Sequence, residues 1–168
     1  MTPNNLIPQI LAFIFYLVLQ IFFVRQLVLF DYAFCFAYVG AILLLPFDTS
    51  RTRLIILGFV AGLIVDMFYN TIGANAAAMT LIAYLRPSVI TLLMPQRGYD
   101  ERDTLSLKSM GFAWFIPYCV LLVAIHHFVL FFLEASSMSL LGFVLLKTVA
   151  STIFTTLVLI IIQLFRKE

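Results

Sequence analysis

Polar residues interrupt the chain at few places, leaving six apolar runs at about 6–24, 32–47, 54–70, 73–94, 110–134 and 139–165. A helix crossing the hydrocarbon core of a bilayer needs roughly 20 apolar residues, with about 17–25 tolerated. The pattern therefore predicts an all-α membrane protein, a bundle of six transmembrane helices in a single domain over 1–168. The second and third runs are short by this measure. Only Thr71 and Ile72 part the third run from the fourth. Asn70 and Gly73 are turn-compatible, so a tight helical hairpin is expected there, with a re-entrant feature as the alternative.

Composition agrees with lipid as the solvent. The chain is 64% hydrophobic and 11% charged, with a mean hydropathy of +1.12, against about 45–50% apolar and about 25% charged in soluble domains. The formal net charge of +2 is too small to argue for nucleic acid. The N-terminal stretch lacks the positive region and cleavage site of a secretory signal, so the first run reads as a retained span. Cys35 and Cys119 fall at different depths and carry no metal spacing, which predicts buried free thiols.

Charge placement fixes the expected orientation. With both termini in the cytoplasm, the inner segments hold seven cations: Arg51, Arg53, Arg97, Arg102, Lys108, Arg166 and Lys167. The outer loops hold only Arg25, while Arg86 and Lys147 fall within spans. This is a strong positive-inside bias, and a single crossing by 54–94 would blur it. The hydrophilic segment 95–109 reads as a cytoplasmic connector, with a docking surface as the alternative.

Within the spans, Gly58, Gly62, Asp66 and Asn70 recur every four residues and share one helix face. Gly58 and Gly62 let a neighbouring helix approach closely, either inside the bundle or on a partner. Gly73, Ala76, Ala77 and Ala83 offer the next helix the same opportunity, and Asn75 and Arg86 share a face on it. An intramembrane carboxylate costs roughly 2.5–3.5 kcal/mol on insertion scales, so Asp66 requires a partner. By helical rise it lies roughly 6 Å below the outer end of its helix, and Lys147, His126 and His127 roughly 12 Å below theirs. An Asp66–Lys147 ion pair is the expected solution, in an outer polar cluster with His126 and His127. Arg86 is deeper, and its guanidinium is expected to snorkel toward the cytoplasmic headgroups or to meet carbonyls freed by Pro87.

No catalytic constellation is legible. His126 and His127 stand outside a His-Glu-x-x-His helix and point about 100° apart, so they cannot chelate one metal from one face. Ser136, Ser137 and Ser139 have no nearby base in sequence. Lys147, Ser151 and Thr155 form a stripe better suited to interhelical hydrogen bonds. The expectation is a non-enzymatic chain with no cofactor and no metal.

The stretch Gly58-Phe-Val-Ala-Gly62-Leu-Ile-Val-Asp66, followed by Gly73-Ala-Asn75-Ala and Ala83-Tyr84-Leu85, resembles the MreD family of rod shape-determining proteins. Pro46-Phe-Asp48 fits the polar cytoplasmic turn that the family places before this helix. The resemblance implies a multi-pass component of the bacterial inner membrane, working in the rod complex that supports peptidoglycan synthesis and cell shape. Its implied partners are MreC, MreB, RodA and the class B penicillin-binding protein paired with RodA. It also implies a fold similar to the substrate-binding subunits of energy-coupling-factor transporters. A vitamin- or metal-transporter subunit is thus the competing reading, with Asp66, His126, His127 and Lys147 lining an outward pocket. Against it, the span Leu6–Val24 lacks the alanine stripe such subunits use to meet their coupling protein.

Overall fold

The computed structural model describes residues 6–96, 98–100, 103–135 and 138–165. Arg97, Arg102, Arg166, Lys167, Ser136 and Ser137 lie outside them. Five long helices dominate: α1 (Leu6–Val18), α3 (Arg51–Tyr69), α4 (Ala74–Leu92), α6 (Phe112–Ala135) and α7 (Leu141–Phe165). Between them lie two one-turn helices, α2 (Gly40–Leu43) and α5 (Leu107–Met110), and a hairpin of β1 (Val28–Leu29) and β2 (Ala33–Phe34). Four helical stretches, 6–26, 51–69, 112–135 and 141–165, are long and apolar enough to cross a membrane.

The first of these continues α1 through a π-helical turn, Leu19–Phe23, and a 3-10 turn, Val24–Gln26. π turns re-aim side chains within a helix. Here Gln20 lies fully buried while Phe22 and Phe23 face outward.

The expected hairpin at 70–73 forms. Asn70 closes α3 in the left-handed conformation, φ 56°, and its N–H and that of Thr71 both bond the Asp66 carbonyl. Gly73, φ 73°, opens α4. The glycine face of α3 lies directly on α4. A Cβ on Gly62 would stand 2.5–2.6 Å from backbone atoms of Asn75 and Ala76, and one on Gly58 would stand 2.9 Å from the Ala83 Cβ. α4 runs unbroken through Pro87. Beyond it, α6 packs on α4 and α7 on α6.

The helix expected over 32–47 does not form. This run enters as β2, makes a 3-10 turn at Ala37–Val39 and one α-turn at Gly40–Leu43, then leaves through Pro46. It is nonetheless deeply buried, with Ala37, Tyr38, Val39, Ile42 and Leu43 at 0% exposure. Non-helical backbone at membrane depth is tolerated only where protein surrounds it or water reaches it. Protein surrounds it here.

The segment after α4 folds back onto one end of the bundle. Leu105 and Leu107 are buried, and the Tyr99 hydroxyl donates to the Ile90 carbonyl at 2.6 Å. Trp114 Nε1 donates to the Leu93 carbonyl at 2.9 Å, and Phe47 packs on the Tyr99 ring at 4.7 Å. Burial is the main cause that pushes the Tyr99 phenol above its ordinary range. Tyr99, Leu105 and Leu107 of this segment therefore help to cap the bundle, and Lys108 remains exposed.

Candidate functional site

An extended chain carries N–H and C=O groups that an α-helix would pair internally, and hydrocarbon offers them nothing. The run 32–46 meets this demand with side chains from four surrounding helices. Phe34 N–H donates to Ser151 Oγ at 2.9 Å, and Phe36 N–H to Thr155 Oγ1 at 3.0 Å, both on α7. Gln20 accepts from Tyr38 N–H at 3.3 Å, and its amide donates to the Cys35 carbonyl at 3.1 Å and the Tyr69 hydroxyl at 2.6 Å. The π turn that carries Gln20 thus aims one side chain at both a C=O and an N–H of the run.

Arg86 serves the far end of the run. Its guanidinium donates to the carbonyls of Leu43, Leu45 and Pro46 and to Tyr118 Oη, whose hydroxyl donates to Leu43 O at 2.8 Å. These carbonyls lie at and beyond the C-terminus of α2, where a cation is favoured. The snorkelling expectation fails: Arg86 is 0% exposed. Nor are its acceptors the carbonyls of its own proline-bearing helix; they belong to the neighbouring non-helical run. A fan of acceptors on fixed backbone outcompetes a distant headgroup because the planar fork can meet several of them at once.

Asp66 is also satisfied by backbone. Its Oδ1 accepts from Thr71 Oγ1, Asn75 N–H (3.0 Å) and Asn75 Nδ2 (3.1 Å), and its Oδ2 accepts from Ala76 N–H at 2.9 Å. Asn75 and Ala76 are the second and third residues of α4, whose N-cap Gly73 has no side chain to offer. Asp66 therefore caps α4 from α3, placing negative charge at the positive end of the helix dipole. The ion pair with Lys147 does not form. Lys147 Nζ stands instead over the rings of Phe34, Phe131 and Phe143, at 4.6, 5.2 and 5.2 Å from their centroids. Comparable depth does not make these two residues a pair, because the nearest donors to a carboxylate at this hairpin are the next helix's amides.

The expected polar cluster accordingly divides. Asp66, Asn75 and His126 join through Tyr38, whose Oη lies 3.0 Å from Asn75 Oδ1 and 2.8 Å from His126 Nε2. His127 faces the other way, with Nδ1 2.7 Å from the Val123 carbonyl and Nε2 3.2 Å from Thr155 Oγ1. Both histidines are fully buried.

Donor and acceptor counting assigns their tautomers. The Asn75 amide nitrogen donates to Asp66, which turns Asn75 Oδ1 toward Tyr38. Tyr38 gives its one proton to that oxygen and must accept from His126, which therefore carries hydrogen on Nε2. Val123 O can only accept, so His127 carries hydrogen on Nδ1. The neighbours hold opposite tautomers. His126 Nδ1 has no hydrogen-bond partner.

Among the described residues, no group of three or more His, Cys, Asp or Glu could hold a metal. Cys35 and Cys119 are free and buried. Chemically, these polar groups position backbone. Gln20, Tyr38 and Tyr118 went unmarked in the sequence, although a glutamine within an apolar run was a readable signal. Comparison with protein-family models, curated proteins and solved structures finds no match.

Proposed function

We propose that this chain is a non-enzymatic scaffold of the bacterial rod complex, similar to MreD. In this reading it lies in the inner membrane with both termini cytoplasmic. The buried non-helical run 32–47 supplies the second of its six passes. It supports peptidoglycan synthesis and cell shape by packing against partner spans, with MreC, MreB, RodA and the class B penicillin-binding protein of RodA as partners.

The observation that carries this reading is that the residues of the resemblance act together. Gly58 and Gly62 seat α4, Asp66 caps it, and Asn75 ties that cap to Tyr38. The motif then builds a rigid hairpin, while apolar side chains such as Ile56, Phe59, Leu63 and Met67 face outward from the same helix. Outward apolar faces on a rigid hairpin are what a protein working through membrane-helix contacts has to offer. The transporter reading needs Asp66, His126 and His127 available to a ligand. Burial and internal bonding of all three weigh against it.

Depletion in the native bacterium tests the proposal. Cell rounding with loss of MreC co-purification is expected; normal shape with defective vitamin uptake would overturn it.

A further inference from the structure

Two turns at one end of the bundle carry apolar side chains at their tips. Phe30, in the turn between β1 and β2, is 90% exposed, and Ile72, in the turn between α3 and α4, is fully exposed. The turns share that end because Arg25, just before the first, stands over the ring of Tyr69, just before the second, at 5.1 Å. Phe30 and Asp31 both take left-handed backbone, φ 54° and 61°, and the Tyr32 N–H closes their turn on the Leu29 carbonyl at 3.2 Å. Such turns favour Asn, Asp and Gly, and a bulky side chain is an outlier there. The fold thus holds an aromatic ring outward at a conformational cost, and its exposure leaves little of that cost to be offset inside the bundle.

Length and hydrogen bonding select what meets these tips. The stretch 6–26 has 21 residues and α3 has 19. They rise roughly 31 and 28 Å, about the thickness of the hydrocarbon core. The turns that follow them therefore fall just past the core, in the layers that bring a bilayer to about 40–45 Å. Exposed apolar residues continue from the span into the hairpin on either side of Arg25 and Gln26: Phe22 and Phe23 before them, Leu27, Val28 and Leu29 after. The strand β1 is paired on one side only. Its free edge needs hydrogen-bonding partners that hydrocarbon lacks and that water and headgroups supply. A partner's strand added along that edge would find only two residues to pair with, which disfavours a docked protein strand.

We propose that Phe30 and Ile72 seat these two turns in the interfacial layer of the lipid bilayer, at one common depth just beneath the headgroups. Trp114 is the sole tryptophan of the chain, and it is buried at the opposite end of the bundle, bonded to Leu93 and Tyr99. Phe30→Trp and Ile72→Trp therefore each add one reporter at an exposed tip. The whole chain is reconstituted in phosphatidylcholine vesicles brominated either near the headgroup end of the acyl chains or near their methyl ends, with helix content checked by circular dichroism. Emission added by either tryptophan should be quenched about twofold more by the first lipid than by the second, as interfacial aromatic residues require. Added emission that brominated lipid leaves unchanged and aqueous iodide quenches overturns the proposal. So does stronger quenching by methyl-end bromine, or a response at one tip alone. The measurement rests on the helices crossing a bilayer and needs no partner, so its failure is separate from failure of the rod-complex reading.

Discussion

The carboxylate of Asp66, on α3, accepts the backbone N–H of Ala76, the third residue of α4, at 2.9 Å. A residue of one helix thereby supplies the cap that the next helix lacks, across a four-residue turn. Asp66→Ala strands the amides of Asn75 and Ala76 in a buried place, at about 1–3 kcal/mol for each unsatisfied group. The melting temperature in detergent should fall by about 2–4 °C per kcal/mol. The charge swap Asp66→Lys with Lys147→Asp should melt no higher than Asp66→Lys alone; rescue would restore the ion pair to consideration.

Gly62 and Gly58 should respond differently to a methyl group. At Gly62 the obstructing atoms are backbone of α4, so Gly62→Ala must push the helices apart, at about 1–3 kcal/mol. At Gly58 the nearest obstruction is the Ala83 Cβ. Gly58→Ala should therefore be partly rescued by Ala83→Gly, whereas Ala76→Gly should leave Gly62→Ala as unstable as before. Thermal unfolding of the four variants decides it.

Arg86 should not tolerate lysine. One ammonium on a flexible stem cannot span Leu43, Leu45, Pro46 and Tyr118 in the way a guanidinium does. Arg86→Lys is expected to lose about 2–3 kcal/mol. Limited proteolysis should then open the chain near 43–47 before other sites. Resistance equal to the unsubstituted chain would detach Arg86 from this role.

Opposite tautomers at His126 and His127 are directly observable. Nitrogen-15 shifts of the two rings should show Nε2 protonated in His126 and Nδ1 protonated in His127. Tyr38→Phe should perturb His126 and leave His127 unchanged, because only His126 bonds Tyr38. The same tautomer on both rings would refute the hydrogen-bond directions assigned to Tyr38 and Asn75.

The parts of the fold legible in sequence are those decided locally. Apolar length marked α1, α3, α6 and α7, and Asn70 with Gly73 marked the hairpin, since both take left-handed backbone there. The glycine spacing pointed to a close helix approach because that geometry is written within a single helix. The run 32–47 reads as a helix in sequence because apolar content alone does not distinguish a span from a strand-and-turn segment buried on all sides. What decides its conformation comes from Gln20, Arg86, Ser151 and Thr155, residues 15 to 119 positions away in sequence for individual bonds. The run was also shorter than a comfortable span, and that shortfall was the local warning. Asp66 and Arg86 are legible in sequence as costly groups, but backbone partners leave no sequence signature, so a lysine and a headgroup stand out there in place of the amides and carbonyls that satisfy them.

Side chains of the surrounding helices replace hydrogen bonds that a helix over 32–47 would have made. Amide hydrogen exchange of Phe34 and Phe36 in the double variant Ser151→Ala/Thr155→Val tests it most directly. Each amide loses a bond worth about 1 kcal/mol, so exchange at Phe34 and Phe36 should quicken about fivefold or more. Amides of the α3–α4 hairpin should keep their protection. Exchange at Phe34 and Phe36 as slow as in the unsubstituted chain would contradict the claim.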